Sequence, residues 1–206
     1  MYHQVVPPER GPTLSVESRL VNQAHLEFLA SPAWARWLED ELLPWIQNVG
    51  DLGDDLLEIG PGPGLTTDLL RALVPRMTAV ELDTALAGAL TDRMAGTNVD
   101  VVHADATDSK LPSDRFSTVA CFSMLHHIPS AAGQDRLFSE VHRMLRPGGL
   151  FVATDSRDLD VIRAFHENDI FVPVGERVGE RLATAGFIGI EVATTEFEVR
   201  FSAKKP

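Results

Sequence analysis

The chain has 206 residues, 44% of them hydrophobic, enough for one well-buried core and too few for two large domains. A formal net charge of -12 makes the average surface repel phosphate backbones and anionic membranes, which argues against a nucleic-acid substrate and a membrane surface as partners. No basic stretch followed by an apolar one opens the chain and no apolar run could span a bilayer, so a cytoplasmic protein is expected.

In chain order, the proline-rich residues 1 to 12 read as an arm without periodicity. Ser15 to Ala30 shows a helical pattern, with Arg19, Asn22 and His25 clustered near one face. That face is either solvated or part of a lid. A second helix is signalled by Ser31 as cap, Pro32 in the first turn, and an apolar side of Trp34, Trp37, Leu38, Leu42, Trp45 and Ile46. All three tryptophans lie there, as packing residues or as a wall for a flat acceptor.

The stretch Leu56 to Thr67 then runs from a short apolar strand through an acid, Glu58, into three glycines alternating with two prolines. A helix begins at Leu65 and is ended by Pro75. Met77 to Glu81, Val99 to His103, Thr118 to Phe122 and Leu150 to Thr154 read as further strands. Helices of about Asp83 to Met94 and Ala132 to Leu145 separate them. Cys121, the single cysteine, lies within an apolar run and reads as a buried thiol with no partner for a disulfide or a cysteine-based zinc site. Residues 156 to 175 have weak periodicity and read as an insertion. Gly175 to Ala185 reads as a helix, and Ile188 to Thr194 with Phe197 to Ala203 as a closing hairpin.

Alternating strands and helices imply an α/β fold with a doubly wound, mostly parallel seven-stranded sheet of Rossmann-like type, a C-terminal antiparallel hairpin and an N-terminal helical lid. Residues 1 to 48 form the arm and lid, and 49 to 206 the core, within one domain overall. Ligands in such sheets bind beyond the carboxyl ends of the strands. Glu58 to Gly64, Glu81, Asp105 and Ser123 to His127 all fall there.

Two cofactor classes use this scaffold. The dinucleotide fingerprint G-x-G-x-x-G started at Gly60 needs a glycine at position 65, where this chain has leucine. A carboxylate at Glu58 would also repel a pyrophosphate, whereas a cationic sulfonium with an ammonium group would be attracted by it. Glu81, about twenty residues beyond the glycines, suits ribose hydroxyls. Asp105 can accept from an adenine amine.

These residues resemble the class I S-adenosylmethionine-dependent methyltransferases, in particular their small-molecule branch. The resemblance rests on Glu58-Ile59-Gly60-Pro61-Gly62-Pro63-Gly64, Glu81, Ala104-Asp105-Ala106, Leu125-His126-His127 and Leu145-Arg146-Pro147-Gly148-Gly149, and is strong over about residues 50 to 155. It implies S-adenosylmethionine as cofactor. Glu58 and Gly60 would lie by its methionine amino end, Glu81 would hold the ribose, Asp105 with the Ala106 amide would read adenine, and Ser123 would flank the sulfonium and methionine part, with Pro61, Gly62, Gly64 and Leu82 as further cofactor-binding residues.

The sulfonium supplies the driving force, so the protein mainly aligns the reactants. If the acceptor is a hydroxyl, His126 or His127 could take its proton. Asn22, His25 and His166 are candidates for contacting the acceptor. The Asn-Pro-Pro-aromatic run of adenine and glutamine methylation is absent, as is a Pro-Cys nucleophile for cytosine. A metal-assisted catechol site would find only Asp155, and no metal-ligating set is expected. The reading is O- or N-methylation of a small molecule, with no nucleic acid or membrane partner and no statement on oligomeric state. The alternatives are a dinucleotide-dependent oxidoreductase and a SAM-binding module without turnover.

Overall fold

The structure, a computed structural model, describes residues 21–166 and 169–206. The expected arm, Arg19 and the start of the first expected helix lie outside the described residues.

Helix α1 (Gln23–Leu29) is capped by Asn22, whose side chain accepts from the His25 amide. Ser31 caps α2 (Pro32–Trp37) in the same way. A π-helical turn over Leu38–Leu42 leads into α3 (Leu43–Val49). Its cause is Pro44, which has no amide hydrogen and whose ring would collide with the Asp40 carbonyl in a regular α-helix. The wider turn lets the apolar side of this segment continue through the proline.

The remaining elements are β1 (Asp55–Ile59), α4 (Leu65–Leu70), β2 (Arg76–Glu81), α5 (Thr84–Met94), β3 (Val99–His103), β4 (Phe116–Phe122), α6 (Ala131–Met144), β5 (Leu145–Ser156), α7 (Asp160–Phe165), α8 (Val178–Thr184), β6 (Ile188–Thr194) and β7 (Glu198–Lys204). They build a seven-stranded sheet in the order β3-β2-β1-β4-β5-β7-β6. β1 to β5 run parallel, and β7 is antiparallel to both β5 and β6. The order reverses between β1 and β4, and the parallel run places the ends of β1 to β4 side by side at one edge of the molecule.

Strand alternation sorts the apolar residues onto the two faces. Leu57, Val119, Cys121 and Phe151 pack on one side with Leu137 and Phe138 of α6. Leu56, Ala120 and Val152 pack on the other with Leu38, Leu42 and Ile46. Each fully buried leucine or phenylalanine stabilises by about 1.5–3 kcal/mol relative to exposure, so residues 38 to 46 are a layer of the domain. Among the described residues of the segment expected as a lid, Leu26 and Leu29 of α1 lie over the strand ends, while Leu38, Leu42 and Ile46 pack on the sheet. Trp34 belongs to the same apolar layer, which is packing.

Several boundaries differ from expectation, three of them with a bearing on the fold. α4 stops at Leu70, because the Asn98 side-chain amide donates to the Arg71 and Val74 carbonyls and draws them away from a helical ladder. β5 starts at Leu145, since Leu145 already pairs with Phe116 before the glycine turn. The helix expected from Gly175 begins at Val178. At the far edge, β6 is exposed or half-buried throughout, and its pairing to β7 shifts register between Ile188 and Glu191, where Gly189 has φ +57°.

Candidate active site

The glycine turn after β1 is a consequence of backbone geometry. Gly60 and Gly64 have φ of +68° and +80°, a region where a side chain costs about 1–2 kcal/mol. A Cβ on Gly60 would lie 2.3 Å from Met124 Cγ, and one on Gly64 would lie 2.2 Å from Arg93 Nη2. Arg93 Nη2 donates to the Pro63 and Gly64 carbonyls at 2.9 and 3.0 Å, holding the turn from beneath. Ser123, at the end of β4, also adopts a left-handed conformation with φ +52°, and its amide donates to the Thr154 carbonyl. A strained residue at a strand end beside a glycine turn is a common property of ligand-holding sites.

Glu81, at the end of β2, accepts from the Gly62 amide at 3.0 Å through one oxygen and from the Asp83 amide at 2.9 Å through the other. Burial pushes its carboxyl above the usual range. Each oxygen retains a lone pair for a further donor. Asp105, past β3, accepts from the Thr107 amide and hydroxyl through Oδ1, which leaves Oδ2 outward.

These groups border a cavity of about 360 Å³ beyond the strand ends. Gly60, Gly62, Glu81, Leu82, Asp105, Ala106 and Ser123 line it, as does His127. Leu26 and Leu29 of α1 cover it, and Met124 contributes to its wall. Leu26 and Leu29 were not legible as site residues, since leucines on an amphipathic helix carry no chemical signal of their own, whereas Met124 falls within the Ser123 to His127 stretch expected at the crevice.

Other expected residues lie elsewhere. Glu58 is 2% exposed, does not line the cavity, and accepts from Thr67 Oγ1 at 2.5 Å. Burial raises its pKa to about 7. It braces the start of α4 beneath the turn, so the direct contact with a cationic ligand expected from its charge is not what the geometry offers. Pro61 and Gly64 likewise shape the turn without lining the cavity. Asn22, expected at the acceptor, has both side-chain atoms engaged: it caps α1 and donates to the Phe165 carbonyl at 3.2 Å, tying α1 to α7.

His25, His126, His127 and His166 converge, and all are buried. Their ring centroids lie between 4.1 and 6.0 Å apart. His126 Nδ1 donates to Asp155 Oδ1 at 2.7 Å, and both residues are closed to solvent. Burial lowers the pKa of His127 to about 2 and that of His25 to about 3, with the neighbouring imidazoles adding to the effect. No metal-ligating set was expected from the sequence, yet one potential donor atom from each of the four lies within 4.8 Å of the others. The separations 25, 126–127 and 166 form no local spacing, so only the fold reveals the set.

A parallel sheet of this order with a reversed β7, a glycine turn after β1, and acids at the ends of β2 and β3 is the layout of class I S-adenosylmethionine-dependent methyltransferase domains, which this chain shares. Residues 57–153 match the family model described as methyltransferase domain. A probable S-adenosylmethionine-dependent methyltransferase of Mycolicibacterium smegmatis is 28% identical over 142 residues, 66% of this chain and 52% of that protein. The ubiquinone biosynthesis O-methyltransferase of Aromatoleum aromaticum is 31% identical over 121 residues, 56% of this chain and 50% of that protein. The chain thus spans about half the length of these curated relatives. N-methyltransferase NodS of Bradyrhizobium japonicum, solved with S-adenosyl-L-homocysteine, shares the fold with a TM-score of 0.71 at 18% identity, over 93% of this chain and 97% of that one. Among the described residues no helix is long and apolar enough to cross a membrane.

Proposed function

We propose that this protein transfers the methyl group of S-adenosylmethionine to oxygen or nitrogen of a small, partly apolar acceptor. The observation that carries the reading is that a single cavity takes in the ends of β3, β2, β1 and β4 in that spatial order. Asp105 and Glu81 then hold adenine and ribose, the Gly60 to Gly62 backbone receives the methionine part, and the acceptor enters past Ser123 beside His127 and α1. Bound S-adenosylmethionine supplies an electrophilic methyl group and a neutral thioether leaving group. The chain's own contribution is alignment and exclusion of water, for which Leu26, Leu29 and Met124 provide the apolar cover. The net charge of -12 supports a small acceptor over a nucleic acid. His126 is sealed behind Asp155 and is not placed to take an acceptor's proton. Of the two histidines expected as a base, only His127 meets the cavity.

The test is incubation of the full chain with labelled S-adenosylmethionine and, separately, a metabolite extract and total RNA, with the product identified by mass. A labelled small molecule supports the reading. Label in RNA alone, or in neither, overturns it. Asp105→Ala should weaken S-adenosylhomocysteine binding by about tenfold in calorimetry, the loss of one hydrogen bond to a ligand group. Unchanged affinity would remove Asp105 from the adenine site.

A further inference from the structure

The four histidines come from three separate regions of the fold: α1, the turn after β4, and the end of α7. Their hydrogen bonds fix which nitrogens carry protons. Asp155 is a carboxylate and can only accept, so His126 Nδ1 is the donor and His126 Nε2 holds a lone pair. His166 Nδ1 faces the Ile162 carbonyl at 2.7 Å, which also only accepts, so His166 Nε2 holds a lone pair too. These two Nε2 atoms stand 3.1 Å apart. Two lone pairs at that distance repel unless a cation or proton lies between them.

The same logic extends to the other two. His127 Nδ1 faces the Ile170 carbonyl at 3.2 Å, leaving His127 Nε2 as an acceptor with no partner among the described residues. Among the described residues His25 Nδ1 is also without a partner, and both residues are more than nine-tenths buried. A single proton shared by His126 and His166 would relieve that pair and leave His127 and His25 unsatisfied. A metal ion satisfies all four nitrogens at once.

We propose that His25, His126, His127 and His166 form a metal site for a divalent first-row transition ion, with Zn²⁺ the best fit. Four neutral imidazoles suit zinc in a tetrahedral shell, where nitrogens bound at about 2.0–2.1 Å lie roughly 3.3 Å from each other. The His126–His166 pair already has that spacing, and the whole set lies within 4.8 Å, so small side-chain rotations complete the shell. Three of the four have the outer partners of an oriented metal site: a carboxylate and two backbone carbonyls hold the Nδ1 protons of His126, His127 and His166 and leave their Nε2 atoms for the ion. Phe165 packs edge-on against His25, and Phe171 lies tilted beside His166, which adds apolar surface around the rings. A shell of four protein ligands is closed, and its role is to fasten α1 and α7 to the β4 turn at the wall of the acceptor cavity. The proton-acceptor role for His127 is then replaced by ligation.

The experiment uses the full chain, treated with chelator, dialysed and titrated with Zn²⁺ alone. About one ion should bind per chain, and substitution with Co²⁺ should give the visible absorption of a tetrahedral nitrogen site. His166→Gln and His25→Gln should each weaken Zn²⁺ binding by more than about tenfold and abolish the cobalt spectrum. Asp155→Asn keeps all four ligands and should weaken binding by about 10–100-fold. His142→Gln should leave metal binding unchanged. S-adenosylhomocysteine affinity, measured on every variant, reports that the domain is folded and tests the methyltransferase reading separately. Failure to bind Zn²⁺ at micromolar concentration in protein that binds S-adenosylhomocysteine overturns the proposal, as does unchanged zinc binding in both ligand variants.

Discussion

Glu58 shows how one carboxyl can serve a turn and constrain stability together. It is buried beneath the glycine turn with its pKa raised to about 7, and burial is the largest cause. A raised carboxyl favours folding while protonated. Its contribution is full below about 4.5, its ordinary value, and is lost as pH rises through about 7. Glu58→Gln keeps an oxygen to accept from Thr67 and removes the charge. The cofactor-free variant should therefore exceed the wild type in stability at pH 8 by at most about 3 kcal/mol, with the difference vanishing near pH 4, in urea denaturation. Gly64→Ala tests the turn itself. Its Cβ would meet Leu90 Cδ1 at 2.6 Å as well as Arg93, at a φ of +80°, so a loss of roughly 2 kcal/mol or more in the same assay is expected.

Among the elements, the segment after α7 is held by a few side chains in place of regular structure. The Val172 amide donates to the His126 carbonyl at 2.8 Å. The Gln134 side-chain amide, from α6, donates to the Leu125 and Val172 carbonyls at 3.0 and 2.7 Å, and Arg181 of α8 donates to the Gln134 oxygen. Gln134→Leu preserves volume but leaves the Val172 carbonyl without this partner, at a cost of about 1–3 kcal/mol. Hydrogen exchange should rise at residues 170 to 174 and stay unchanged in β1. This part of the fold was the least legible in sequence, because a loop anchored by distant side chains has no periodicity. The cofactor half was legible for the opposite reason. Gly60, Gly62 and Gly64 answer to backbone conformation, Glu81 and Asp105 to strand ends, and each leaves a local mark. The segment from Ser31 to Val49 falls between these cases: its apolar side could be read, but not that the side packs on the sheet.

For the whole molecule, the mostly parallel sheet and the closing antiparallel hairpin followed from alternation of strands and helices, whereas the order of the strands and the meeting of residues 25, 126, 127 and 166 required tertiary packing. S-adenosylhomocysteine at 100 times its dissociation constant should stabilise the chain by about 2.7 kcal/mol, read as a rise in Tm, and NAD at equal concentration should give none. A rise with NAD alone would restore the dinucleotide reading that Leu65 in the glycine fingerprint argues against.

The outermost strand also bears on how the chain behaves at high concentration. β6 carries Ile188 and Val192 at 54% and 44% exposure, on an edge whose backbone groups would ordinarily recruit another strand. Gly189 breaks the pairing register at one end, and Glu191 sets a negative charge between the two apolar residues. An incoming strand would meet an interrupted ladder and a carboxylate to desolvate, so the sheet is protected from growing past its seventh member.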